Sequence, residues 1–185
     1  MTDQQHKPTG ETAIMIVPPR DICGFADHYR RLYMPDTMHR VEPHITITIP
    51  FVPYGQLEQA EPRLRQALTH CPPTRLSIRG FGMFRDTGIL YLWTAYPERV
   101  ISIYKAILAE FPDYPAYGGQ FGDNFTPHMT VGRFSDPDEL ERVYNELSGM
   151  RLYLGWDVDR VIVKYKTEET LWLTWGGLPL KGRTW

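Results

Sequence analysis

Apolar residues in this chain recur at two different periods, and the switches between them mark out the elements. Thr12–Val17 (TAIMIV) reads as a strand stopped by Pro18-Pro19. Asp21–Tyr33 then places Ile22, Phe25, Ala26 and Tyr29 on one side of a helix. His44–Phe51 (HITITIPF) alternates with period two and is the clearest strand of the sequence. Leu57–Cys71 is helical in pattern, and Pro62 inside it argues for a start near Glu61, where a missing N–H does least harm. Arg75–Phe81 and Ile89–Tyr96 form a strand pair around the turn-rich Gly82–Gly88, and Glu98–Phe111 is a further helix. After Pro112–Phe125, rich in Pro, Gly and aromatics, the order recurs. Thr126–Phe134 is a strand, Asp136–Leu147 a helix capped by Ser135 or Asp136, and Asp159–Lys166 and Thr170–Leu178 are closing strands. Interleaved strands and helices joined by hairpins predict an α+β fold of mostly antiparallel sheets rather than a doubly wound parallel sheet.

Composition narrows the class. With 42% hydrophobic and 23% charged residues among 185, the chain is an ordinary globular one. A chain of this length buries roughly two-thirds of its unfolded surface and needs no staples. Cys23 and Cys71 stand apart, with neither a disulfide framework nor zinc-type spacing. No apolar run is long enough to span a membrane. The polar opening Met1–Gly10 lacks the apolar core of a signal peptide, so a cytoplasmic protein is expected. Residues 1–11 are expected to be a disordered tail, and 12–185 a single domain of two lobes, monomeric. The net charge of 20 − 22 = −2 argues against nonspecific coating of nucleic acid, which scales with the phosphates neutralised. It leaves open an enzyme that holds one phosphate or one RNA end.

Two segments carry the chemistry: Pro43-His44-Ile45-Thr46-Ile47-Thr48-Ile49-Pro50-Phe51 and Pro127-His128-Met129-Thr130-Val131-Gly132-Arg133-Phe134. Their histidines are 128 − 44 = 84 positions apart, nearly half the chain. Side chains alternate in a strand, so His44 and Thr46 share one face and Ile45, Ile47 and Ile49 the core-facing one. His128 and Thr130 likewise share a face, with Met129 and Val131 turned inward. Simple alternation puts Thr48 with His44, and Arg133 on the face away from His128. Two such strands facing each other would place two imidazoles and two hydroxyls in one site. One neutral imidazole can take a proton from a nucleophile while a protonated one gives a proton to the leaving oxygen. The hydroxyls can hold the nonbridging oxygens of a phosphate. A single HxT in a strand is a common accident; two, each Pro-preceded and in corresponding halves, point to phosphodiester cleavage.

The sequence here resembles the 2H phosphoesterase superfamily, which includes RNA 2′,3′-cyclic phosphodiesterases and the proteins called 2′-5′ RNA ligases. The resemblance rests on His44-Ile-Thr46-Ile and His128-Met-Thr130-Val, flanked by Pro43, Pro50-Phe51, Phe125-Thr-Pro127 and Arg133, and would cover about residues 12–178. It implies a bilobal α+β fold with pseudo-twofold symmetry, a central groove between antiparallel sheets, and neither metal nor cofactor. It further implies hydrolysis of a 2′,3′-cyclic phosphate or related phosphodiester on a nucleotide or RNA end. In that reading His128 is the base, His44 the acid, and Thr46 and Thr130 bind phosphate; the sequence by itself leaves the direction of proton transfer open. A small non-RNA phosphodiester, or a noncatalytic RNA-end binding module, are the alternatives.

Other residues weigh less. Phe51, Phe125 and Arg133 are possible substrate contacts, and Tyr33, Tyr117 and Phe121 could join Phe51 and Phe125 in a stacking wall for a base. Gly118-Gly119 and Gly122 suit a mobile lid. His39, Glu42 and His44 lack metal-ligand spacing. His28 and His70 read as surface residues of helices, and His6 belongs to the tail.

Overall fold

The computed structural model describes residues 6–182 except 121, 123 and 124. Its strands are β1 (Pro8–Ile16), β2 (Ile45–Thr48), β3 (Thr74–Phe84), β4 (Ile89–Ala95), β5 (His128–Arg133), β6 (Leu154–Val158), β7 (Arg160–Thr167) and β8 (Trp172–Pro179). Its α-helices are α1 (Arg20–Tyr33), α2 (Leu57–Leu68), α3 (Pro97–Glu110) and α4 (Pro137–Leu147). The strands form two four-stranded sheets, ordered β2-β1-β7-β8 and β5-β4-β3-β6, with every pairing antiparallel. Matching β1 to β4, β2 to β5, β7 to β3 and β8 to β6 carries one sheet onto the other, so the expected pseudo-twofold holds. The motif strands β2 and β5 are therefore edge strands, and they meet where the two sheets approach.

The helices exchange partners. α1 leaves the first sheet and packs on β5 of the second, while α3 leaves the second and packs on β2 of the first. α2 lies against α3 and β8, and α4 against β3 and β4. Periodicity explains the faces buried: Ile22, Ala26, Tyr29 and Arg30 of α1, and Val100, Ile103, Tyr104 and Ile107 of α3. α3 and α4 both start with proline at the first helical position. The Asp136 carboxylate caps α4 by accepting from the Asp138 N–H at 2.9 Å.

Three elements depart from the periodicity reading. Pro8–Glu11, expected in a disordered tail, belong to β1, where Pro8 pairs with Thr167 of β7; residues 1–5 of that expected tail lie outside the described residues. α2 starts at Leu57 and keeps Pro62 in its interior, because Pro62 faces solvent while Leu57, Leu64, Ala67 and Leu68 bury the opposite side. β6 was not expected, although Leu154, Trp156 and Val158 alternate inward as an edge strand should.

Candidate active site

Each motif histidine is fixed by its own chain. His44 Nδ1 lies 2.7 Å from the Glu42 carbonyl oxygen, and His128 Nδ1 lies 2.8 Å from that of Thr126. A carbonyl only accepts, so Nδ1–H donates in both rings and Nε2 is left as the reactive edge. The intervening prolines, Pro43 and Pro127, explain the geometry. A residue before proline is driven to extended backbone, which holds its carbonyl back beneath the imidazole two positions on.

The groove between β2 and β5 has a volume of about 680 Å³, and His44, Thr46, His128 and Thr130 all line it. Beyond the threonines strict alternation fails, at the same motif position in both halves. In the first sheet Ile14 pairs with Thr48 but Met15 with Thr46, so Ile47 is an extra residue. In the second, Leu90 pairs with Gly132 but Tyr91 with Thr130, so Val131 is extra. Each is a β-bulge, which sends two successive residues to the same side and re-aims those that follow. Thr48 and Gly132 therefore turn into the core, while Ile49 and Arg133 turn into the groove. All three expectations from simple alternation are corrected together. Thr48 is buried and donates to the Tyr114 carbonyl at 2.9 Å, anchoring the loop before β5. Ile49 is a groove residue, and Arg133 joins the site.

Aromatic rings crowd His128. Phe84 meets it edge-on at 4.9 Å between centroids, Tyr91 at 5.4 Å, and Tyr117 lies nearly parallel at 6.4 Å. Tyr117 takes φ 54, the left-handed region that β-carbon sterics disfavour, and its phenol shares a hydrogen bond with Thr46 of the opposite lobe. Phe125 lines the groove beside it. Phe51 does not: it is 2% exposed and packs on Phe111 and Tyr114 in the core, so its place as a substrate contact is withdrawn. Tyr33 packs on Phe134, and Phe121 lies outside the described residues. Gly118 and Gly119 follow Tyr117 in the left-handed region, as a tightly built turn requires.

Two buried cations hold the approach to His44, and neither was marked by the sequence. Arg30 of α1, 2% exposed, donates to the Asp27 carboxylate at 2.8 Å and to the carbonyls of Met38 and Val41 at 2.8 and 2.6 Å. Lys164 of β7, also 2% exposed, pairs with the Glu42 carboxylate at 2.6 Å and donates to the Thr174 hydroxyl at 3.1 Å. Glu42 is thus gripped at its side chain while its carbonyl orients His44.

Burial governs the electrostatics. Desolvation pushes His44 down to about 4, opposed by its hydrogen bond to the Glu42 carbonyl; Arg30 and His128 lower it further. Desolvation also lowers His128, helped by Arg133. Both rings are neutral in the free protein near pH 7. In the unfolded chain His44 takes up its proton near ~6.5, so between that value and about 4 the unfolded state binds more protons. Stability should accordingly fall by roughly 2–3 kcal/mol from this residue as pH drops from about 7 to about 4.5. Urea midpoints across that range should show the loss, and His44→Gln should flatten it. An unchanged slope in the variant would show that His44 is as easily protonated folded as unfolded.

Among the described residues no group of three or more His, Cys, Asp or Glu side chains is arranged to hold a metal ion, and no helix is long and apolar enough to cross a membrane. His39 and Glu42 do not join His44 in such a group.

Two antiparallel sheets meeting at paired HxTx edge strands define the class: this chain is an enzyme of the two-histidine (2H) phosphoesterases. It belongs to the 2′-5′ RNA ligase superfamily, whose model matches residues 18–168. An RNA 2′,3′-cyclic phosphodiesterase of Methanothermobacter thermautotrophicus is 29% identical over 146 residues, covering 70% of this chain and 77% of that one. Among solved structures, a Thermus thermophilus protein superposes with a TM-score of 0.68 at 14% identity, over 94% of this chain and all of that one. Escherichia coli LigT with 3′-AMP superposes at 0.66 and 16% identity, over 94% and 98% of the two chains.

Proposed function

We propose that this phosphoesterase hydrolyses a 2′,3′-cyclic phosphate on a nucleotide or RNA end with His44 and His128 as acid and base. The observation that carries the reading is the matched pair of imidazoles, each with Nδ1 tied to the carbonyl two residues back and Nε2 left to one groove. In the proposed reaction His128 Nε2 takes a proton from water as the water oxygen bonds to phosphorus. The bond from phosphorus to one ribose oxygen breaks, and His44 Nε2–H protonates that oxygen. A bound phosphate's negative charge would restore to His44 the proton that burial disfavours. Thr46, Thr130 and the re-aimed Arg133 are assigned to the nonbridging oxygens, where charge gathers.

Assay of the purified protein on nucleoside 2′,3′-cyclic phosphates, RNA ends and 2′-5′ dinucleotides tests this directly. Turnover of the cyclic phosphates is expected, and it should survive exhaustive chelation because the two histidines supply the proton transfers. Loss with EDTA and recovery with one divalent ion would overturn the unaided two-histidine mechanism. Turnover confined to small non-nucleotide phosphodiesters would replace the substrate while leaving the site assignment in place.

Thr46→Val and Thr130→Val should each lower kcat/KM by roughly 10- to 100-fold, the worth of a hydrogen bond to a charged group. Part of the loss should appear in KM, since the hydroxyls meet phosphate in the ground state as well. Steady-state kinetics with unchanged KM in both variants would assign the hydroxyls to the transition state alone.

A further inference from the structure

The sheet that carries His128 does not end its open face at the groove. Trp93 of β4 is the register partner of His128, so the two side chains rise on the same face of adjacent strands. Trp93 is 41% exposed and its indole reaches over Gly80 of β3. β3 presents glycine there: a Cβ on Gly80 would stand 2.8 Å from the Trp93 indole nitrogen, and one on Gly82 would stand 2.4 Å from Cζ of Tyr91. Two glycines at alternate positions of a strand weaken it. Here they leave room over β3 for the Tyr91 and Trp93 side chains of the neighbouring strand, beside His128.

Charge accompanies the rings. Ile78 pairs with Thr94 but Gly80 with Trp93, so Arg79 is the extra residue of a third bulge. The bulge turns Arg79 to the face of Trp93 rather than into the core. Its guanidinium lies over the ring of Tyr153, 4.8 Å from the centroid, and Tyr153 is itself 72% exposed. Among the described residues Arg79 makes no ion pair, whereas Arg75 on the same strand is taken up by Asp157. Trp93 adjoins His128 on the neighbouring strand, and an arginine with two exposed aromatic rings beside it matches alternating phosphates and bases.

We propose that Trp93, Arg79 and Tyr153 form a subsite for single-stranded RNA running away from the terminal phosphate, with a nucleobase stacked on Trp93 and a backbone phosphate at Arg79. This rests on the reaction proposed above and deepens it: the preferred substrate is an RNA end rather than a free nucleotide. The stack is indifferent to base identity, since every base has a π-face.

Two measurements on the full chain separate the subsite from the reaction. The first compares kcat/KM for a short oligoribonucleotide ending in a 2′,3′-cyclic phosphate with that for the corresponding nucleoside 2′,3′-cyclic phosphate. The oligonucleotide should be preferred by about tenfold or more, the loss typical of one base–aromatic stack. Trp93→Ala should collapse that preference towards unity. Arg79→Ala should reduce the slope of log affinity against log salt by roughly 0.7, the release from one single-strand phosphate. The second measures quenching of tryptophan fluorescence by the same oligonucleotide carrying a 3′-phosphate, which binds without reacting. Quenching should be present in the wild type and largely lost in Trp93→Phe. Equal kcat/KM for the two substrates in the wild type, or a preference that Trp93→Ala leaves intact, overturns the subsite. Trp93-dependent quenching without turnover of any cyclic phosphate supports the subsite and overturns the proposed reaction instead.

Discussion

Replacing His44 or His128 by alanine should lower turnover by roughly 10²–10⁴-fold, the range typical when a positioned acid or base is removed. The effect should be this large for either residue because neither motif contains a substitute: in each, the neighbouring side chain on the groove face is a threonine hydroxyl, which does not titrate near neutrality. Folding should survive. The histidines line a groove, and the imidazoles' structural bonds run only to carbonyls two residues away, which water can satisfy. His44→Ala should even relieve acid lability, since it removes a group that is harder to protonate folded than unfolded. Circular dichroism and single-turnover assays on a 2′,3′-cyclic nucleotide provide the check. A folded variant that keeps near wild-type turnover would strip that histidine of its role.

The pH profile should be equally pronounced. Burial lowers both imidazoles, so the free enzyme with one neutral and one charged ring is a minority species near pH 7. kcat/KM should follow a bell whose alkaline limb begins below ~6.5, the ordinary histidine value. Beyond it the rate should fall about tenfold per pH unit, as each unit removes nine-tenths of the remaining imidazolium. The two apparent constants belong to the pair, because charge on His128 depresses His44. Bound phosphate favours the imidazolium, so the profile of kcat should lie at higher pH than that of kcat/KM. Profiles of both parameters to pH 9, with stability checked throughout, decide the matter. A kcat/KM that rises to a plateau without falling would mean that no histidine acid takes part.

The sequence made the motif strands, the element order and the inward side of each strand readable, because these follow from period and from residues that lie side by side. It failed where a chain breaks its own period. Nothing in ITIT or TVGR announces that Ile47 and Val131 are extra residues; the bulges arise from pairing with β1 and β4, far away in sequence. Alternation alone consequently puts Thr48, Ile49 and Arg133 on the wrong faces, although Arg133 is also a candidate substrate contact that the groove retains. Gly132 was a partial signal, since any Cβ there would press within 2.9 Å of Tyr33 and Phe134. Arg30 and Lys164 were unreadable for another reason. A cation is buried only where partners converge on it, and those partners, the Met38 and Val41 carbonyls and the Glu42 carboxylate, come from an irregular segment without periodicity. Phe51 looked like a groove residue by its closeness to the motif, yet the chain has already turned into the core by that point.

The exchange of helices between the sheets bears on how the groove can move. With α1 of one lobe seated on β5 and α3 of the other seated on β2, neither sheet can swing without dragging a helix anchored across the divide. Such cross-bracing opposes a rigid-body hinge between the lobes, the usual way a two-part enzyme closes on its substrate. The two imidazoles are set against each other when the chain folds, and binding need not assemble them. At the mouth of the groove Tyr117 adds a further link, lying nearly parallel to His128 while its phenol shares a hydrogen bond with Thr46. The frame is in effect a clamp whose gap is set before any ligand arrives, because each side of the groove is braced by a helix from the other half.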